Sequence, residues 1–238
     1  MSQTNLEISL VVPVYNEADN LRPLHAEIAQ VFADAPSWEL LFVDDGSTDA
    51  SAQVLAQLKV EDPHVRVLHL ARNAGQSAAF AAGFRHVRGH AVVTLDGDMQ
   101  NDPRDIPGLL AGLETHDIVC GIRTNRRDDF VRRWYSKLTN GLRRAFTGDR
   151  IVDTGCSLKA FRREIVGKLP MFDGMHRFLG TLGEYAGGRV QQVAVNHRER
   201  TRGVSKYGVW NRLWVTLGDL MAVCWMRRRW LHYSVEEA

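Results

Sequence analysis

Two carboxylates one residue apart close an apolar run at Val93-Thr94-Leu95-Asp96-Gly97-Asp98, and Met99-Gln100-Asn101-Asp102-Pro103 follows. Alternate residues of an extended chain point the same way, so Asp96 and Asp98 can share one face. Two like charges held that close are costly unless a cation lies between them. Hard oxygen donors of this kind suit Mg²⁺ or Mn²⁺, and Mg²⁺ is commonly held by one or two carboxylates plus substrate phosphates. The stretch therefore reads as a place where a divalent cation meets a phosphorylated ligand. A lone Asp-Gly-Asp is more often a turn with solvated acids, so the elements around it decide its meaning.

Residues 8–14 form a continuous apolar run closed by Tyr15-Asn16-Glu17, the pattern of a buried parallel strand. Leu21, Leu24, Ile28 and Val31 then recur at helical spacing over 18–32, with Asn16 as a candidate cap and Glu17 and Asp19 near the positive end. A strand at 38–43 stops at Asp44-Asp45-Gly46-Ser47-Thr48-Asp49, and a helix is predicted over 50–59. A third strand at 65–70 ends in Ala71-Arg72-Asn73-Ala74-Gly75-Gln76, an Ala-rich helix spans 77–87, and the fourth strand covers 91–95. Strand then helix, four times over, predicts an α/β fold: a doubly wound, mostly parallel sheet with helices on both faces. Further strands are expected at 117–121, 157–161 and 190–195, helices at 107–115, 131–146 and 174–185, and a polar loop at 122–129. Ligands of open α/β sheets bind outside the carboxyl ends of the strands, so the acids closing the first, second and fourth strands should converge on one crevice. The sequence has neither G-x-G-x-x-G after the first strand nor G-x-x-x-x-G-K-[ST], which weighs against a dinucleotide fold or a P-loop.

The 238 residues suffice for one large domain or two small ones. A formal net charge of +2 argues against a nucleic-acid partner. Cys120, Cys156 and Cys224 lack metal-ligand spacing and are odd in number, as expected in a reducing compartment. The opening residues have no basic, apolar leader pattern, so no signal peptide is expected. No run reaches the roughly 18 apolar residues of a membrane span. Basic residues crowd at Arg123–Arg133, at Arg143 and Arg144, at Arg198–Lys206 and at Arg227–Arg229.

Five segments in order closely resemble the family 2 glycosyltransferases, and among them the polyprenyl-phosphate group typified by dolichol-phosphate mannosyltransferase. They are Val12-Pro13-Val14-Tyr15-Asn16-Glu17, Val43-Asp44-Asp45-Gly46-Ser47-Thr48-Asp49, Asn73-Ala74-Gly75-Gln76-Ser77, Leu95-Asp96-Gly97-Asp98-Met99-Gln100 and Arg202-Gly203-Val204-Ser205-Lys206-Tyr207. The resemblance implies a GT-A fold over residues 1–206; residues 207–238 read, from their own pattern, as an amphipathic membrane-surface tail. It also implies an NDP-sugar donor, a Mg²⁺ or Mn²⁺ cofactor and inverting transfer to a polyprenyl phosphate of the undecaprenyl or dolichyl type. By the same resemblance Pro13, Tyr15, Glu17, Asp44 and Gln76 face the nucleotide. Asp96, Asp98 and Gln100 make the metal site, with Asp96 also toward the nucleotide-sugar. Arg123, Arg132 and Ser136 match the acceptor-phosphate positions. Arg202, Ser205 and Lys206 match the basic loop over the donor phosphates.

The chemistry is consistent with those residue types. Charge builds on a departing nucleoside diphosphate, and a metal at Asp98 with Arg202 and Lys206 would stabilise it. A phosphate monoester has a second pKa of about 6, so this nucleophile is anionic at neutral pH and requires no general base. Glu184 is the one acid of the second half to nominate as a base, and His176 and Arg177 lie in a region the resemblance places on the acceptor side. Arg126, Arg127 and Arg133 read as electrostatic background. Trp210, Trp214, Trp225 and Trp230 with Arg227–Arg229 suggest an interfacial helix on anionic lipid, peripheral at the cytoplasmic face of the membrane. The same pattern also fits a helix packed on the domain itself, a homo-oligomer contact or a membrane-protein partner. Two other functions share the donor motifs: a family 2 transferase with a sugar or protein acceptor, and a non-catalytic nucleotide-sugar-binding protein. The Q-x-x-R-W box of processive synthases is absent.

Overall fold

In the computed structural model of the chain, residues 7–35, 37–124, 143–144, 146–199 and 209–231 are described, the last stretch with side chains from 218 onward. The apolar runs form strands β1 (Ile8–Val14), β2 (Trp38–Asp44), β3 (Val65–His69), β4 (Ala91–Thr94), β5 (Ile118–Arg123), β6 (Lys159–Arg162) and β7 (Val190–Val195). They make one sheet in the order β3-β2-β1-β4-β6-β5-β7. Every pairing is parallel except those of β6, which runs antiparallel to both β4 and β5. The expected α/β sheet is therefore present, with one reversed strand. That reversal positions the site. β5 ends at Arg123 on the carboxyl edge of the sheet, and the chain re-enters β6 from the same edge. Thr94 pairs with Lys159, and Lys159 with Cys120, so residues 153–159 lie beside the end of β4.

The helices are α1 (Ala18–Val31), α2 (Ser51–Glu61), α3 (Gln76–His86), α4 (Ile106–Gly112), α5 (Arg163–Val166), α6 (Leu179–Tyr185) and α7 (Val209–Arg229). Alternation along β1 sorts the core into two layers. Leu10, Val12 and Val14 join Leu21, Leu24, Leu40, Phe42 and Leu109 on one face. Val11 joins Leu41, Phe80, Phe84, Phe161, Leu179 and Leu182 on the other. Burying each such side chain contributes about 1.5–3 kcal/mol. Close approach of α3 to the sheet depends on Gly83, where a Cβ would meet Val11 Cγ1 at 2.4 Å. Cys120 and Cys156 are buried in these layers, as packing residues, and burial pushes the Cys120 thiol up to about 12.

Asn16 does not cap α1. Its φ is +55°, and its Oδ1 accepts the Thr48 and Asp49 N–H groups at 2.7 and 3.3 Å. The turn after β1 is left-handed, which Asn tolerates. The acid at the start of α1 is supplied across space instead: Ala18 N–H donates to Asp49 Oδ2 at 3.3 Å.

The helical tail is only partly a surface feature. Val223 of α7 is fully buried, with Leu220, Met226 and Trp230 against the α3/α6 layer. Trp230 meets the Tyr185 ring edge-on at 5.9 Å, and Asp219 pairs with Arg177 at 2.7 Å. The other side leaves Met221, Trp225 and Leu231 exposed. Among the described residues no helix is long and apolar enough to cross a membrane.

Candidate active site

At the carboxyl edge, the loops after β1 and β2 clasp each other. Asn16 N–H donates to Ser47 Oγ and Glu17 N–H to Ser51 Oγ, both at 3.0 Å, while Asn16 Oδ1 takes the Thr48 N–H. Asp44 is buried, with Oδ1 accepting Ser47 N–H at 3.0 Å and Oδ2 3.0 Å from His69 Nδ1. Asp45 accepts the Ala74 and Gly75 N–H groups at 2.7 and 2.9 Å, which ties the loop after β3 to the end of β2. Gly46 has φ +68°, and a Cβ there would lie 2.6 Å from the backbone of Arg72 and Asn73, so that contact requires glycine. Tyr15 and Glu17 are half-buried at the end of β1, and the Glu17 carboxylate accepts from Asn20 Nδ2 at 2.6 Å. Pro13 abuts the aspartate loop: a Cβ on Gly97 would sit 3.2 Å from the Pro13 carbonyl.

The loops after β1, β2, β3 and β4 thus meet at one edge of the sheet. Gln76, the first residue of α3, donates from Nε2 to Asp96 Oδ1 at 2.7 Å. Burial, and then the neighbouring Asp98 charge, push the Asp96 carboxyl up to about 6, against the pull of Ser157, Lys159 and Arg123. Asp98 Oδ1 accepts, among the described residues, the Gln100 N–H at 3.2 Å, in a turn whose Met99 has φ +65°. A left-handed Met is strained. Asp96, raised partly by the Asp98 charge, and Asp98 itself, with an amide two residues on, form an oxygen donor set that fits a hard divalent cation. No cluster of three His, Cys, Asp or Glu occurs among the described residues, so further oxygens would have to come from Gln100, water or a substrate phosphate.

This loop is braced by residues that its motif does not single out. Asn101 Oδ1 accepts Asp96 N–H at 3.2 Å and Ser157 Oγ at 2.8 Å. Asn101 bridges to His197, and Arg198 N–H donates to the Gln100 carbonyl at 2.9 Å. Arg198 also forks onto Glu27 and reaches Asp102 at 2.9 Å. The Arg104 guanidinium beside Asp102, helped by Arg198, holds that carboxyl down at about 2. The strand leaving β7 is therefore fastened under the aspartate loop immediately before the basic segment. Arg202, Ser205 and Lys206 of that segment, and Arg132 and Ser136, lie outside the described residues.

Arg123, at the end of β5, is drawn into an ion pair. Its Nε and Nη2 donate to Asp153 at 2.7 and 2.8 Å, so the fork expected to receive a phosphate is closed on a carboxylate. Gly155 makes room for it, since a Cβ there would come within 2.7 Å of Nη2. Between Asp96 and the β6 entry lies a cavity of about 330 Å³. Gln76, Phe80, Asp96, Thr154, Ser157, Lys159, His176 and Arg177 are among its lining residues. Glu184 is not; its carboxylate accepts Arg150 N–H at 3.4 Å. Lys159 is the residue that sequence reasoning missed. A lysine inside the apolar run Ser157-Leu158-Lys159-Ala160-Phe161 was the available signal.

His176 Nδ1 lies 2.7 Å from Ser77 Oγ, which also accepts Gly174 N–H at 3.0 Å. Burial, then Arg177 and Lys159, lower its pKa from 6.5 to about 4. The unfolded chain then takes up this proton first as pH falls. Stability from this group is complete above about pH 6.5 and is lost as pH drops toward 4, by up to about 3 kcal/mol. In urea melts across that range, His176→Asn should flatten the pH dependence relative to wild type. Parallel curves for the two proteins would contradict this.

Comparison with known proteins agrees with this arrangement. The sequence profile described as glycosyl transferase family 2 matches residues 9–169. Dodecaprenyl-phosphate galacturonate synthase of Rhizobium johnstonii is 41% identical over 232 residues, covering 94% of this chain and 68% of that protein. Undecaprenyl-phosphate 4-deoxy-4-formamido-L-arabinose transferase of Salmonella paratyphi A is 39% identical over 204 residues; the match covers 84% of this chain and 62% of that protein. Glucosyl-3-phosphoglycerate synthase from Mycobacterium tuberculosis, solved with Mn²⁺, UDP and phosphoglyceric acid, shares the fold at TM-score 0.70 and 20% identity, over 94% of this chain and 79% of its own. A mannosyltransferase from Pyrobaculum calidifontis in complex with GDP-Man and Mn²⁺ superposes at TM-score 0.67 and 20% identity, over 98% and 67%. The profile spans the first four strands, the aspartate loop and the β6 entry, which are the parts that build the crevice, and so the chain belongs to glycosyl transferase family 2.

Proposed function

We propose that this protein transfers a sugar, with inversion, from a nucleoside-diphosphate sugar to the phosphate of a polyprenyl phosphate. The observation that carries this reading is the Asp96–Asp98 pair at the carboxyl edge of the sheet, tied to Gln76 on one side and fastened by residues 197–198 on the other. The two polyprenyl-phosphate relatives support the acceptor class. Asp44 and the loops around Pro13, Tyr15 and Glu17 take the nucleotide. Asp96, Asp98 and Gln100 hold Mg²⁺ or Mn²⁺, which when bound supplies positive charge to the leaving diphosphate. Arg202, Ser205 and Lys206 close over the same phosphates from the segment beyond Arg198.

An acceptor phosphate oxygen attacks the anomeric carbon as the bond from that carbon to the diphosphate oxygen breaks, and the electron pair leaves with the nucleoside diphosphate. The nucleophile is already ionised at neutral pH, so no side chain removes a proton. Asp96 is the one carboxylate among the described cavity-lining residues, consistent with that economy. Arg123, oriented by Asp153, with Arg132 and Ser136, offsets the repulsion between the acceptor phosphate and the donor diphosphate. Incubation of the protein with bacterial membranes, Mn²⁺ and a panel of radiolabelled nucleotide sugars tests the acceptor class. Label in an organic-extractable, acid-labile lipid supports it, and label confined to aqueous product contradicts it.

Residues 207–238 place the protein peripherally on the cytoplasmic face of the membrane. The exposed Met221, Trp225 and Leu231, beside the basic Arg228 and Arg229, suit an anionic lipid surface. Removing the whole tail would also uncover Val223 and unpair Arg177, so surface substitution is the cleaner test. The triple variant Met221→Ser, Trp225→Ser, Arg228→Ser should weaken binding to anionic vesicles at least about tenfold, given about 1 kcal/mol per surface basic residue plus the lost apolar area. Binding of the nucleotide should be unchanged. Equal loss of both would contradict a membrane role for this face.

A further inference from the structure

Among the described residues, the cavity beside Asp96 holds one cation whose charge no side chain meets directly. Lys159 is 1% exposed, and its Nζ donates to the carbonyl of Cys156. No carboxylate pairs with it among the described residues. The other two cations nearby are each matched, Arg177 by Asp219 and Arg123 by Asp153, both at 2.7 Å. An ammonium carries three donors, and removing it from water costs several kcal/mol unless a charge or a full set of acceptors compensates. A single neutral carbonyl leaves that requirement unmet.

The lysine is held in place on a rigid element. As the first residue of β6 it is paired with Thr94 on β4 and Cys120 on β5. Its field reaches both Asp96 and His176, which line the same cavity. The remaining walls combine apolar and hydroxyl-binding surface. Phe80 and Leu179 offer apolar contact, while Gln76, Thr154, Ser157 and His176 offer hydrogen-bonding groups. That mixture suits one pyranose ring, with its C–H face and its hydroxyl edge.

We propose that this cavity takes the transferred sugar and that Lys159 pairs with a carboxylate on it, so that the donor is a nucleotide-linked uronic acid and Lys159 is a specificity-determining residue. This rests on the glycosyltransferase reading above. A phosphate is the less suitable partner for this ammonium. The acceptor phosphate carries a long polyprenyl chain that must lead out of the pocket, and Asp98, on which the donor diphosphate depends, does not line the cavity. A carboxylate at C5 is carried on the ring itself.

Titration calorimetry on the full chain with Mn²⁺ tests this, using UDP-galacturonate against UDP-galactose, UDP-glucuronate against UDP-glucose, and UDP alone as reference. One charged hydrogen-bonded contact is worth about 1.5–3 kcal/mol, so the uronate of at least one pair should bind about 10–100 times tighter than its neutral partner. Lys159→Met should erase that ratio and leave UDP affinity within about twofold, whereas Lys159→Arg should retain part of it. Equal affinities within both pairs for the wild type would overturn the proposal, and that comparison does not depend on any variant folding. So would a ratio that survives Lys159→Met, or a loss that falls on UDP alone to the same extent. The titrations contain no acceptor, so failure of lipid transfer and failure of carboxylate selection are read separately.

Discussion

Asp98→Ala is expected to reduce sugar transfer by at least about 10³-fold, while the melting temperature shifts by no more than a few degrees. The asymmetry follows from where the residue sits. Asp98 is half-buried in the aspartate loop, and among the described residues its side chain accepts one N–H bond, from Gln100 at 3.2 Å. Losing one such bond costs about 1 kcal/mol, worth roughly 2–4 °C in a chain of this size. In the proposed function, however, the carboxylate is an oxygen donor to the divalent cation, and charge stabilisation on a leaving group is commonly the largest catalytic term, about 10²–10³ even for one lost donor. Asp96 is less suited to this test, because Gln76 Nε2 and the loop around it are built on its carboxylate. Turnover measured with saturating Mn²⁺, alongside a thermal melt, decides the matter. Near-normal turnover of a folded Asp98→Ala protein would contradict the assignment.

Asp149→Ala should be the most damaging of the structural substitutions, at about 3–5 kcal/mol in urea denaturation. Asp149 is 5% exposed and accepts five hydrogen bonds from four groups. These are Arg143 Nη1 on both oxygens at 2.9 and 2.7 Å, Thr147 Oγ1 at 2.7 Å, Ile151 N–H at 2.9 Å and Thr181 Oγ1 at 2.7 Å. Removing it leaves the buried Arg143 guanidinium with only the Ile151 carbonyl as a partner among the described residues. The same hub fastens the chain between 143 and 151 to α6, and so fixes where residues 153–159 return to the sheet edge. Asp149→Asn keeps the shape but loses the charge, and should fall between the two. A cost below about 1 kcal/mol for Asp149→Ala would show that Arg143 finds another partner or reaches water.

The first half of the fold was legible because its signals are local. Each of the first four strands is an apolar run that ends in polar residues, and the rule that α/β ligands sit at carboxyl ends turned separate acids into one crevice. Asp45 holding the Ala74 and Gly75 amides, and Gln76 reaching Asp96, are the contacts that tie the loops after β2, β3 and β4 together. What was not legible depends on partners far apart in the chain. The ion pair that orients Arg123 was not legible, because nothing local announces Asp153, 30 residues on. The reversal of β6 follows from which edge the chain returns to, and hydrophobic pattern gives a strand its faces but not its direction. Lys159 sat in plain view inside an apolar run, yet its burial beside Asp96 needed that reversal to become visible. Asn16 read as a helix cap until its positive φ showed that it holds the neighbouring loop. The tail shows the limit of amphipathic patterning most clearly. Its apolar spacing could not tell a lipid surface from α6, and the structure turns Val223 and Trp230 inward while Met221 and Trp225 remain outside.

The most direct measurement pairs two acceptors that differ in one group. The purified protein is given Mn²⁺, a labelled nucleotide sugar and either a polyprenyl phosphate or the matching polyprenol alcohol. Label should enter the lipid phase only with the phosphate, should be released by mild acid, and should vanish with EDTA or in Asp98→Ala. Equal labelling of the alcohol, or labelling that persists without a divalent cation, would contradict metal-assisted transfer to a phosphate nucleophile.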